Sequence, residues 1–173
     1  NFKKYEKVIA DTEWCNDKTN VTDTTYNPWS MSNVNGLGYG TNKTYYGAAQ
    51  RLVSTSNSAG GTGPSLKCNG ELSKINSKVG LITADELAFA GYAIGTGNTT
   101  TYLQENATDT YWWSLSPSGF DGSYASFCFV YGSSGYFGDN YVGRTYGVRP
   151  SISLKSTTNV TGDGTSDKPY KVV

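Results

Sequence analysis

Between Tyr124 and Tyr146 the sequence sets Tyr124, Ser126, Cys128, Tyr131, Ser133, Tyr136, Asp139, Asn140, Tyr141, Arg144, Thr145 and Tyr146 among glycines and apolar residues. The chemistry such a set can do is recognition. Tyrosine offers a large rigid ring with a polar tip, and Ser, Asn and Asp offer adaptable hydrogen bonds, a mixture found in antibody binding loops. Catalysis is poorly served. The chain has no histidine, which excludes Ser-His-Asp and Cys-His nucleophile activation and His-ligated metals. Asp85 and Glu86 are adjacent carboxylates, but neighbours on a helix point apart and do not form an acid–base pair. The chain is therefore expected not to be an enzyme and to have no catalytic residues.

These residues need a scaffold, and the stretch from Tyr111 to Pro150 must supply it. It opens on Tyr111, Trp112 and Trp113, and no lysine occurs from Val79 to Leu154. Ala125, Phe127, Val130, Phe137, Val142 and Val148 recur in short pieces, with turns at glycines 132, 135, 138, 143 and 147. Successive strand side chains point to opposite faces. The apolar set is therefore expected to face a core and the polar set to face solvent, with a bulge or register change near Phe129, where alternation breaks. On this reading Tyr131, Tyr136, Tyr141 and Tyr146 lie exposed on one face, while Phe127, Val130, Phe137 and Val148 are buried. The rival reading is a turn-rich β region with aromatic strands and no binding role.

Other segments carry their own signals. Phe2, Tyr5, Val8, Ile9 and Thr12 are spaced for a short amphipathic helix, with a strand leading into Cys15 as the rival. Residues 16–40 read as a loop pinned by Trp29, Met31, Leu37 and Tyr39. Tyr45, Ala48, Ala49 and Leu52 predict a helix over residues 42–53. Residues 54–63 are flexible, and residues 72–80 form a connector or short strand. Thr83 and Glu86 make a capping box for a helix ended by Gly91, with Leu81-Ile82 as its lead-in. Residues 96–110 read as an exposed loop, and residues 151–154 as a strand with one buried face. The tail turns near Gly162-Asp163-Gly164 and ends in a short strand.

Bulk composition narrows the class. The chain has 173 residues, a formal charge of zero, 16% charged and 14% aromatic residues, and 21 glycines. One domain over residues 1–173 is expected, rich in β structure and loops. Zero charge offers no attraction to nucleic acid or anionic membranes, and no apolar run approaches membrane-spanning length, so direct membrane insertion is not expected. The chain starts at Asn1 without Met, as a processed product would, and any signal or anchor would lie upstream. Three cysteines occur. Cys15 and Cys68 both sit in polar, turn-like settings and are expected to pair, leaving Cys128 free; three reduced, unrelated cysteines are the alternative.

Three blocks carry a resemblance: Val79-Gly-Leu-Ile-Thr-Ala-Asp-Glu with Ala90-Gly91, then Tyr111-Trp-Trp-Ser-Leu-Ser-Pro, then Gly147-Val-Arg-Pro-Ser-Ile-Ser-Leu. In this order they resemble bacterial surface and pilin-associated C-terminal domains. They also resemble the C-type-lectin-fold variable proteins diversified by retroelements, among them phage tropism determinants. The resemblance implies an α+β, C-type-lectin-like fold: two helices packed on a small antiparallel sheet, with a large loop-rich half carrying the binding site. It makes residues 111–150 the candidate variable region, residues 1–14 the remnant of an N-terminal helix, and Cys128 a product of diversification. Arg149 is then structural, its guanidinium held by backbone carbonyls or a carboxylate. Formylglycine-generating enzymes have a related fold and use a cysteine pair with copper; Cys128 has no cysteine partner in its stretch.

The expected function is a surface-displayed, adhesin-like domain that binds a protein or glycan receptor on another cell or surface without a cofactor. Its expected location is extracellular: cell surface, pilus or phage tail. A minor pilin or structural surface-protein head domain is one alternative. A calcium-dependent lectin is another, with Asp163, Thr165 and Asp167, or Asp121, Asp139 and Asn140, as the nearest approach to an oxygen cage.

Overall fold

β-Prone aromatic and apolar residues crowd residues 111–131, and this region supplies the two longest strands of the chain. The computed structural model describes residues 2–32, 43–68, 74–105, 107, 110–165 and 167–173. Before the long strands come α1 (Phe2–Tyr5), a 3-10 turn (Glu6–Val8), β1 (Thr12–Cys15), β2 (Thr44–Tyr45) and α2 (Gly47–Leu52). They are followed by β3 (Lys74–Ser77), β4 (Gly80–Leu81), α3 (Ala84–Phe89) and α4 (Tyr102–Glu105). The long strands are β5 (Tyr111–Phe120) and β6 (Ala125–Tyr131). Then come β7 (Tyr136–Tyr141), β8 (Gly147–Val148), β9 (Pro150–Ser151), β10 (Val160–Thr161) and β11 (Lys171–Val172).

The main sheet runs β2-β5-β6-β7, all antiparallel, with β8 parallel to β5. Its register is set by Trp112 opposite Val130, Trp113 opposite Phe129 and Val130 opposite Phe137. β5 shifts register between Trp113 and Pro117 and again between Pro117 and Gly119. Such irregularities bend a strand, and the sheet curls into a half-barrel. Among the described residues the remaining strands form three two-stranded pairs, β1-β3, β4-β9 and β10-β11.

α2 and α3 cover one face of the sheet, here called the inner face. Ala48, Leu52, Ala84 and Leu87 pack there against Trp112, Cys128, Val130 and Phe137, with Tyr92. Small residues let the helices come close. Ser114, Ser116 and Ser118 line the inner side of β5 and are buried. Their hydroxyls are used: Ser116 Oγ accepts from the Ala84 amide at 2.9 Å, at the start of α3, and Ser118 Oγ donates to Asp139 at 3.1 Å. A second cluster joins Tyr26, Tyr45 and Ala49, with Trp29 and Met31 against it.

The expected α+β, C-type-lectin-like arrangement is overturned. The protein is 34% strand and 14% helix, with four short helices, and does not pack two helices as a C-type lectin does. The helix expected over 42–53 shrinks to Gly47–Leu52 because Thr44 and Tyr45 pair with Phe120 and Gly119 as strand β2. The spacing of Tyr45 with Ala48 and Ala49 was sound as a burial pattern, but Tyr45 buries itself from a strand. The capping box forms as expected: Thr83 Oγ1 accepts from the Glu86 amide, and a Glu86 carboxylate oxygen accepts from the Thr83 amide. The N-terminal alternatives both occur in sequence, a helix and then strand β1. Residues 96–110, read as loop, contain α4. Residues 151–154 do not bury their apolar side: Ile152 and Leu154 are exposed. Leu37, Tyr39 and the expected start of the 42–53 helix lie outside the described residues.

Candidate functional site: the outer face of the sheet

Strand alternation places Trp112, Cys128, Val130 and Phe137 on the inner face, so Tyr111, Trp113, Phe129, Tyr131, Tyr136 and Gly138 fall on the other. An antiparallel sheet with one covered face ordinarily shows polar side chains on the other. This one shows aromatic rings. Tyr131, Tyr111, Tyr146 and Trp113 form a continuous stack, with successive centroids 4.3, 4.7 and 4.4 Å apart and interplanar angles of 17°, 18° and 29°. Tyr146 reaches the stack from the loop after β7, where its hydroxyl accepts from Asn140 Nδ2 at 2.8 Å. Phe129 lies beneath, 5% exposed, touching Tyr111, Trp113, Tyr136 and Tyr146 edge-on or tilted.

Gly138 is what lets Tyr136 join. A Cβ at residue 138 would stand 2.7 Å from Tyr136 Cε1 and 3.4 Å from Phe129 Cε1. Without one, the Tyr136 ring leans over the strand toward Phe129. Tyr111 and Tyr136 remain 39% and 41% exposed. Beyond Trp113 the same face continues through Val148, its parallel neighbour on β8, which is 62% exposed. It then reaches an apolar groove of about 350 Å³ between β4, β9 and β3.

The expected site residues divide between the two faces. Tyr131, Tyr136, Asn140 and Tyr146 meet on the outer face. Ser133 is exposed in the β6–β7 turn, and Arg144 and Thr145 are exposed in the loop that carries Tyr146. Tyr141 does not join them: it is paired with buried Ser126 and stands against Tyr124, 4.7 Å between centroids. There Asp121 raises the Tyr141 hydroxyl's pKa, by its charge first and by a hydrogen bond second. Burial alone would raise the Asp121 carboxyl's pKa, but it accepts from the Tyr124 and Ser123 amides, and these bonds together with Tyr141 and the charge of Lys43 bring it below the ordinary value.

Ser126 and Cys128 are corrections. Both are buried on the inner face, Cys128 at 2% exposure, and burial pushes the thiol's pKa well up. Cys128 is thus core packing under α2 and α3, not a surface position. Asp139 also faces inward, beside Cys128 and on Ser118 Oγ, and burial raises its pKa against that bond. The irregularity expected near Phe129 is found as a register shift against β5, where Trp113 pairs with Phe129 and Pro117 with Phe127, while β6 pairs with β7 without a break. The irregularity lies in β5. Alternation runs through β6 on the side of Val130, so before Phe129 it is the reverse of the expected one: Ser126 and Cys128 face in, and Phe127 faces out, half-buried. Val130 and Phe137 are buried as expected; Val142 and Val148 are exposed. Tyr111, Trp113 and Phe129 complete the outer cluster. The i, i+2 spacing of Tyr111 and Trp113 was the signal that could have assigned them.

Beside the inner layer lies a cleft of about 610 Å³ whose floor is charged. Arg51 Nε and Nη2 donate to the Asp85 carboxylate at 2.6 and 2.7 Å, and Nη1 donates to Asp17 at 2.7 Å. Burial alone would lower the guanidinium's pKa, but the bonds to Asp85 and Asp17 carry it upward. Asp85 also accepts from the Ser65 amide, and Asp17 from the Thr19 amide. These groups are committed to one another and tie the segment after β1 to α2, α3 and residue 65. The Cys15–Cys68 disulfide, with Cα atoms 5.4 Å apart, closes the same junction. It is the expected pairing, and it implies an oxidising environment. Arg149 donates to the Leu103 carbonyl at 2.7 Å and lies over the Trp112 ring, which gives it the structural role expected of it.

Among the described residues no group of three or more His, Cys, Asp or Glu could hold a metal ion. The residues considered for calcium are otherwise engaged or apart. Asp163 accepts from the amide and hydroxyl of Thr165, and Asp139 and Asn140 point to opposite faces of β7. Among the described residues no helix is long and apolar enough to cross a membrane.

No curated protein matches the chain, and no solved structure does. A family model does match, over residues 47–156, from α2 through the aromatic sheet to just past β9. That span is more than half of the chain, and the protein belongs to the DUF6273 family, a domain of unknown function.

Proposed function

We propose that the protein is a surface-displayed binding module whose outer sheet face docks a protein partner. The observation that carries this reading is the ring stack Tyr131–Tyr111–Tyr146–Trp113, in which Tyr111 is exposed and the other three rings are half-buried, with exposed Tyr136 beside it. Exposed clusters of aromatic and apolar side chains rimmed by polar groups mark interaction sites, and Tyr and Trp supply most interface hot spots. The oxidising environment implied by the disulfide fits display outside the cell, on a surface or pilus.

The stack favours a protein over a glycan. A sugar ring packs on the open face of an aromatic ring. Here the faces of Tyr111 and Tyr146 are spent on their neighbours, and the rings present edges and hydroxyls instead. Ring edges carry the positive side of the quadrupole, and tyrosine hydroxyls donate. Such a surface suits apolar side chains flanked by backbone carbonyls.

The test is a panel of secreted and cell-surface proteins beside a glycan array. Both are probed with the wild type and with a variant carrying Tyr131→Ala and Tyr136→Ala, with and without chelator. A protein signal that disappears in the variant and survives chelation supports the reading. Glycan signals alone would replace the protein partner by a sugar, and loss on chelation alone would favour a calcium-dependent lectin.

A further inference from the structure

Two apolar surfaces of this chain lack a partner among the described residues, and they differ in shape. One is the groove, walled by Ile75, Val79, Leu81, Leu115, Val148 and Pro150 over the Trp14 ring, with no charged residue in its lining. The other is the C-terminal hairpin β10–β11. Val160 sits opposite Val172 in its register, so both valines share a face, and both are exposed. Tyr170 lies beside the turn glycine Gly164 and is also exposed. From residue 159 onward, the backbone hydrogen bonds of the described residues stay within the hairpin, for example Val173 to Asn159 and Asp163 to Lys168. At its root the Lys155 amide and Thr158 hydroxyl donate to the Val8 carbonyl.

A two-stranded hairpin without support is marginal in water. It gains order when its apolar face is buried. Its own chain's groove does not receive it: no residue from 159 to 173 lines that groove. We infer that the hairpin docks, valine face down, into the groove of a second copy of this chain. Zero net charge removes the long-range repulsion between copies that would oppose the contact. Because groove and hairpin are different patches, the contact is heterologous, and it propagates head to tail unless a ring closes. This inference stands apart from the partner reading of the ring stack.

Sedimentation velocity on the full chain across a concentration series tests it. The wild type is expected to grow in size with concentration. Val148→Asp in the groove and Val172→Asp on the hairpin should each stay monomeric. Val148 and Val172 are exposed, so neither change burdens the core, and circular dichroism checks the fold; Ile75→Asp replaces Val148→Asp should that variant misfold. An equimolar mixture of a groove variant and the hairpin variant restores one interface and should give dimers and nothing larger. A wild type that is monomeric up to about 1 mM would overturn the inference. So would a hairpin variant that still associates, or a mixture that fails to dimerise.

Discussion

Gly138 and Gly80 are both glycines against aromatic rings, yet their replacement has different consequences. At residue 138 an added Cβ meets the far end of Tyr136, an exposed side chain that can swing aside. Gly138→Ala is expected to change stability by no more than about 1 kcal/mol, because the unfolded-state benefit of alanine offsets the lost ring contact. At residue 80 the Cβ would fall inside the indole of buried Trp14, whose Nε1 is held on the Ser77 carbonyl at 2.8 Å. Gly80→Ala should cost about 2–3 kcal/mol. Urea unfolding of both variants checks the contrast. Asp139 supplies a pH-dependent case. Burial raises its pKa above the usual 3.8, so the folded chain binds this proton more tightly than the unfolded chain. Its stabilising contribution is full below the ordinary value and is lost as pH rises through the raised one. Asp139→Asn is therefore expected to be more stable than the wild type at neutral pH and to converge with it in acid, read as urea midpoints. Neither site was legible in the sequence. Gly138 read as a turn glycine and Asp139 as a surface residue, because a one-residue difference in strand phase exchanges the two faces.

Elements with local causes were the readable ones. The α3 cap needs only Thr83 and Glu86 three residues apart, and it forms as written. The Cys15–Cys68 pair followed from similar settings. What joins the elements was not readable. Arg51 was one charge in a helix, and nothing local said that Asp17 and Asp85, each 34 residues away, would both turn to it. Arg51→Ala would leave two nearly buried carboxylates facing each other, at a cost of about 3–5 kcal/mol. Arg51→Lys should recover only part of this, since an ammonium cannot span both partners as the planar fork does. Equilibrium unfolding of the two variants measures it, and equal stability of Arg51→Ala and the wild type would contradict the bridging role. The strand phase of β6 failed for a related reason. Ser126 and Cys128 look polar beside Phe127 and Phe129, but α2 and α3 need small residues beneath them, and the large rings are left to the outer face.

The whole molecule is a curled sheet with helices on one side and rings on the other. Aromatic content was visible in the sequence, and so was the absence of lysine around it. The fold class was not, because two short helices with clear signals drew attention from the strands that outweigh them. The central claim is that the ring face binds. The most direct measurement takes the strongest protein hit of the binding panel and determines its Kd for two paired variants. Tyr111→Ala with Tyr136→Ala alters the outer face, and Tyr124→Ala with Tyr141→Ala alters the exposed tyrosine pair on the other side. Hot-spot tyrosines cost 2 kcal/mol or more on truncation, about 30-fold in affinity. The account predicts at least that loss for the outer pair and little change for the other. Loss confined to the Tyr124 and Tyr141 variant, with the outer variant binding as the wild type does, would contradict it.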